Sequence, residues 1–208
     1  MACGLPHRAL IVGVILAMIG SATVAAEEVT RSASWSTEPA LLEQLDAEAN
    51  EPGFSIRPPR GYQFLEQAGP QGSRAFAWKG EPRPDGTSPY VMVMVAAIPS
   101  GEHAPPNDLE RALDQFLSGV QRRRTDWSRT ASERGQIHGV EFIRASWSGT
   151  EPARQLKTHG FSYVTLDGNT VIQVSSQDVE PYAKAALKLA EASALTFKLD
   201  DHEPSRSP

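Results

Sequence analysis

The sequence holds a single cysteine, Cys3, among 208 residues. Cys3 lies before the apolar run that follows it, so it is not the acylated cysteine of a bacterial lipoprotein. With the N-terminal segment removed no thiol is left, which excludes disulfides, thiolate-ligated zinc and cysteine nucleophiles. Catalytic signatures are missing too. There is no Gly-x-Ser-x-Gly elbow, no His-Glu-x-x-His, no phosphate-cradling glycine-rich loop and no calcium-loop spacing, and no motif calls for a cofactor. A basic excess is also absent. The formal net charge is −5, and removing Arg8 with the first 26 residues leaves 19 Lys and Arg against 25 Asp and Glu, a net of −6. Nucleic-acid binding needs a concentrated positive surface and is not expected.

What is present begins with a targeting pattern over residues 1–26. His7 and Arg8 form a short basic region, Leu10 to Ile19 an apolar one, and Thr23-Val24-Ala25-Ala26 a small-residue cleavage site before Glu27. The reading is a secretory signal peptide, and the chain is expected to be exported to the periplasm or the extracellular space. An uncleaved anchor, which would make the chain a membrane-tethered assembly factor, is the rival. Cleavage would leave 182 of the 208 residues, enough for one domain stabilised by its core alone.

Residues 27–53 are polar and Ala-rich and read as a tether with a possible short helix, in which Leu41, Leu42 and Leu45 make a narrow stripe. The domain is expected over 54–199. Phe54-Ser55-Ile56 alternates like a half-buried strand, and Arg74 to Lys79 is a second strand with Phe76 and Trp78 on one face. Pro89 to Ile98 contains nine consecutive apolar residues from Tyr90, which predicts a central strand covered on both faces. Asn107 and Glu110 cap a helix whose Leu109, Leu113, Phe116, Leu117 and Val120 recur at helical spacing, and Arg122-Arg123-Arg124 reads as its solvated last turn. Two strands, Thr130 to Ile137 and Val140 to Trp147, flank His138-Gly139. A hairpin follows, Gly160 to Leu166 and Thr170 to Ser175, turning at Asp167-Gly168. In the register this predicts, Tyr163 faces Ile172, Phe161 faces Val174, Val164 faces Val171 and Ser162 faces Gln173. Asp178 or Glu180 caps a final helix with a stripe of small residues, and residues 200–208 read as a disordered tail.

The order of elements, together with the opening Phe54-Ser55-Ile56-Arg57-Pro58-Pro59-Arg60-Gly61-Tyr62, Gly160-Phe161-Ser162-Tyr163 in the hairpin and the Ala-rich last helix, resembles the PsbP-like domains. That fold is shared by the lumenal PsbP subunit of photosystem II, the Ran-interacting Mog protein and many exported bacterial proteins of unassigned role. The resemblance covers Phe54 to Lys198. It implies an α+β fold with an antiparallel sheet of about six to seven strands covered by helices on both faces, an α/β/α sandwich, and a role in binding or assembly. Fold-level likeness does not itself deliver a function.

Two groups of residues are candidates for a site. Tyr62, Trp78 and Trp147 are placed to line a ligand pocket between the sheet end and the loop Gly80 to Pro89, although core packing explains the tryptophans as well. His138 and His159 sit at strand entrances where one sheet edge would bring them together, and with Glu151 or Asp167 they offer the donor set of a zinc or copper site or of a hydrolase. Exposed turn histidines are the plainer reading. The function expected is therefore an exported, non-enzymatic module that binds an envelope protein or a small ligand, with a metal-dependent or hydrolytic enzyme as the alternative.

Overall fold

The computed structural model describes residues 33–68, 73–98 and 109–200. Its first elements are β1 (Ala33–Ser34), α1 (Pro39–Leu42), β2 (Ala49–Glu51), β3 (Phe54–Ile56), β4 (Gln63–Ala68), β5 (Arg74–Lys79) and β6 (Tyr90–Ala97). Then come α2 (Leu109–Gln121), β7 (Thr125–Arg129), β8 (Glu133–Ile137), β9 (Val140–Glu151), β10 (Leu156–Asp167), β11 (Thr170–Val179), α3 (Ala183–Ala194) and β12 (Lys198–Leu199). Signal, cleavage site, Asn107 cap and tail all lie outside the described residues.

β10 and β11 form the centre. Their hairpin exists, but its turn is Gly168-Asn169, with Asp167 opposite Thr170 and Tyr163 opposite Val174. Gly168 has φ 53° and Asn169 is not in the left-handed region, the φ pattern of a type II′ turn, which needs glycine only at its first position. The expected type I′ turn one residue earlier is thereby corrected. Every pairing slides by two residues, which preserves parity, so Phe161, Tyr163, Ile172 and Val174 still share one face. His138-Gly139, with φ 47° and 83°, does make the φ pattern of type I′ between β8 and β9.

Nine strands form the main sheet, in the order β1-β8-β9-β10-β11-β6-β5-β4, with β7 pairing to the far end of β9's edge beyond β8. Its pairs are antiparallel except β1 with β8. β4 had no sequence signal, because all six of its residues are exposed and give no alternation. A second sheet, β12-β3-β2, lies on one face of the first and shares its core: Phe54 of β3 meets Phe76 edge-on at 5.1 Å and stacks on Phe197 at 5.4 Å. Part of the segment read as a tether is built into this core, with Leu45 only 2% exposed and Trp35 edge-on to Tyr163 at 5.1 Å.

The α/β/α sandwich does not hold, and the six to seven strands expected are too few. One face of the sheet is covered jointly by α3 and the three-stranded sheet, over Phe76, Val93, Phe161, Tyr163 and Val174. Among the described residues the other face carries α2 alone, whose Leu109, Ala112, Leu113 and Leu117 bury Ile143, Ala145, Trp147, Val164 and Val171. β6 is accordingly not covered on both faces: Val91 and Val93 are buried, whereas Met92 and Met94 are half-buried.

α3 starts at Tyr182 without a side-chain cap. Asp178 is instead the last buried acid of β11 and takes both Arg83 Nη groups at 2.6 Å, while Glu180 accepts from His159 at 2.8 Å. Small residues on its buried side, Ala183, Ala190 and Ala194, let the helix approach the strands closely.

Gly160 is the most tightly enclosed of the described glycines. It pairs with Trp147, whose indole lies across it, and a Cβ there would stand 2.6 Å from Trp147 Cε2 and 2.7 Å from the Ser176 carbonyl. Trp147 also stacks on Trp127 at 5.3 Å. Gly160→Ala should therefore lower the unfolding free energy in urea by about 1–3 kcal/mol through overpacking and change the near-ultraviolet circular dichroism of the tryptophan pair. An unchanged midpoint and spectrum would show that the indole moves aside freely.

Candidate functional site

The pairing of β11 with β6 sets Val171 opposite Ala96, Gln173 opposite Met94 and Ser175 opposite Met92, all on the face that carries α2. α2 itself lies over β9 and β10. Beside it runs an open groove of about 780 Å³. Met92, Met94 and Val171 form its floor, and Ala112, Phe116 and Val120 of α2 form its wall. The floor's polar groups are tied down where they are buried, since Gln173 donates to Ser162 Oγ at 3.0 Å.

Arg122, Arg123 and Arg124 close the end of the groove at the C-terminus of α2, and Arg111 borders it nearer the other end. Among the described residues none of these four has a carboxylate within salt-bridge distance, whereas Arg60, Arg74, Arg83, Arg129, Arg134 and Arg144 each reach one. Among the described residues no Asp or Glu lines the groove. Arg124 is held in place: it donates to the Arg123 carbonyl at 3.0 Å and to Gln177 Oε1 at 3.3 Å, and its guanidinium lies 6.0 Å from the Trp147 ring centre. Its Nε is buried and has no hydrogen-bond partner among the described residues. Tyr90 lines the groove at this end. Burial pushes its phenol from 10.0 up to about 12, with the Arg124 and Arg123 charges pulling the other way.

The three aromatics read as one pocket are not brought together. Trp147 lines the groove, but Trp78 is buried in the core on the opposite face, and Tyr62 packs against that same core. The space between Tyr62 and the loop is filled, because a Cβ on Gly80 would stand 2.8 Å from Pro89 and 3.0 Å from Tyr62. The loop is fixed to the sheet by the bidentate Arg83–Asp178 pair and by Arg154 donating to the Asp85 carbonyl at 2.6 Å. Asp178, after burial, helps hold the Tyr62 phenol above its ordinary range.

The two histidines are likewise apart. His138 is exposed at the β8–β9 turn, whereas His159 lies opposite Ser148 on β9. The eight residues of β9 between Val140 and Ser148 span roughly 26 Å, so no shared sheet edge joins them. His159 bonds Glu180, whose carboxyl is held below its usual range by His159 and then Lys157. Among the described residues no group of three His, Cys, Asp or Glu is placed to hold a metal ion.

The nine-residue apolar run from Tyr90 hides the groove, because apolarity alone does not separate covered from uncovered positions. A finer signal was there. Val91 and Val93, β-branched, alternate with Met92 and Met94, and flexible thioethers suit a surface that adapts to a ligand better than a fixed core.

No family description matches the sequence, and no curated protein matches it. Solved structures do. The solution structure of cyanobacterial PsbP (CyanoP) from Synechocystis sp. PCC 6803 superposes with a TM-score of 0.53 at 14% identity, covering 80% of this chain and 98% of that one. LpqN, involved in cell envelope biogenesis of Mycobacterium tuberculosis, gives 0.51 at 10% identity over the same shares. The fold is PsbP-like. At these identities the likeness concerns the fold alone.

Because the folded-state phenol of Tyr90 titrates above its unfolded value, its contribution to stability is complete below pH 10 and is lost as pH rises toward 12. Tyr90→Phe should give a shallower decline of the urea midpoint between those pH values than the unaltered protein. Superimposable alkaline limbs would mean that the phenol is not shielded.

Proposed function

We propose that this chain is a non-catalytic, exported module of the cell envelope that holds a ligand or partner in the groove beside α2. The observation that carries the reading is the groove itself, with Met92, Met94, Val171 and Phe116 set among polar groups, on a face of the sheet that, among the described residues, a single helix leaves partly uncovered. Concave, mostly apolar sites with a few convergent polar groups are the usual form of a binding site. The envelope setting draws on the targeting pattern of residues 1–26 and on the fold shared with LpqN, a protein of envelope biogenesis. Among the described residues no helix is long and apolar enough to cross a membrane.

The enzyme alternative would have to work from His138 or His159, and these lie at different ends of β9 and away from the groove floor. Incubating the purified chain with an envelope extract of the cells that express it, followed by native mass spectrometry and extraction of the bound component, tests the proposal. The expected result is a component bound one per chain and recovered chemically unchanged, equally in His138→Ala and His159→Ala. Catalytic conversion of an extract component, lost in either histidine variant, would overturn the reading.

A further inference from the structure

We propose that the groove beside α2 binds a single-chain anionic amphiphile, with its carboxylate or phosphate head on Arg122, Arg123 and Arg124 and its chain along Met92 and Met94. The inference rests on the proposed reading of the groove as the binding face and names the chemistry it would take.

Charge points to the head. In a chain of net charge −5, six described arginines outside the groove reach a carboxylate and Arg57 and Arg154 bond backbone carbonyls, whereas the three clustered at the end of α2 reach no carboxylate among the described residues. Arg124 shows how the head would be held: each of its Nη groups uses one N–H within the chain, on the Arg123 carbonyl and on Gln177, which leaves a second N–H on each for a planar anionic head. The Tyr90 hydroxyl, which bonds no described residue, borders the same end and offers a further donor.

Shape points to the tail. The 13 residues of α2 give the wall a length of about 20 Å, the reach of a long alkyl chain, and Met92, Met94 and Ala96 run as an apolar strip along the floor beside Gln173 and Ser175. A volume of about 780 Å³ fits one small-molecule ligand rather than a two-chain lipid. A peptide strand is disfavoured because β6 is already paired on both edges, to β11 and β5, and leaves no free ladder for strand addition.

The test is calorimetric titration of the full chain, as recovered from expressing cells, with hexadecanoate, hexadecyl phosphate, hexadecanol and acetate below their aggregation concentrations. One anionic amphiphile per chain should bind, with hexadecanol and acetate at least roughly ten-fold weaker, the worth of one charge-assisted hydrogen bond. The double variant Arg123→Gln and Arg124→Gln should lose that preference and bind hexadecanoate and hexadecanol alike. Gly119→Leu should abolish binding: Gly119 lines the groove, an added Cβ meets only Arg122 Nη2 at 3.9 Å, and leucine is the better helix former, so loss of fold is not the expected cause. Equal affinity for hexadecanol, binding undiminished in Gly119→Leu, or no binding of either anionic probe would each overturn the inference. In the last case, an envelope component retained by the unaltered chain but not by Gly119→Leu leaves the broader reading standing, whereas retention by both removes that too.

Discussion

A sheet with apolar side chains on both faces must be covered twice, and the rest of this molecule follows from how unequally that is done. On one side α3 and the β12-β3-β2 sheet together bury Phe54, Phe76, Phe161, Tyr163 and Phe197. On the other, among the described residues, there is only α2. A helix is about 10–12 Å across with its side chains and strands are spaced about 4.8 Å apart, so one helix covers little more than two strands. α2 takes β9 and β10, and the apolar residues of β6 are left at its flank. The groove is the geometric remainder of a two-faced core with a one-helix cover.

Electrostatics then distinguishes the two sides of the sheet. On the α3 side the polar groups answer one another. Arg144 donates to the Tyr163 hydroxyl at 2.8 Å, Tyr163 donates to Glu191 at 2.6 Å, and burial followed by the Glu191 charge holds the Tyr163 phenol above its ordinary range. Such a closed network fixes the helix against the sheet and leaves little for a ligand to gain. On the α2 side the cations of residues 122–124 have no such answer among the described residues. A face fixed by this network therefore supports one whose arginines keep free donors among the described residues, the arrangement a preorganised binding surface needs.

Much of the core was legible in the sequence because burial imposes alternation. Phe76 with Trp78, Phe161 with Tyr163, and Ile172 with Val174 all declared their faces, and a turn misplaced by one residue did no harm to them because the pairing slid by two. Elements without burial were silent, β4 above all. The sandwich expectation failed for a related reason: nine apolar residues in a row state that a strand is hydrophobic, not whether a neighbour arrives to cover it, and here the cover on one face stops at β10. Tyr62, Trp78 and Trp147 were grouped by residue type, but the parity of β5 and β9 sends Trp78 and Trp147 to opposite faces. The arginine triplet was read correctly as a helix end; that it also ends a groove depends on β6, distant in sequence and invisible to local pattern.

The central claim is that the open flank of α2 is where this protein meets its ligand. Of the four methionines in the sequence, the two in the folded domain, Met92 and Met94, both line that flank, so their ε-methyl groups report on it directly. Carbon-13 methyl-methionine spectra recorded while hexadecanoate is added should show both resonances moving together and saturating at one equivalent, with the Trp78 indole signal still. Methyl signals that stay fixed while Trp78 or His159 responds would place the binding face elsewhere and contradict the account.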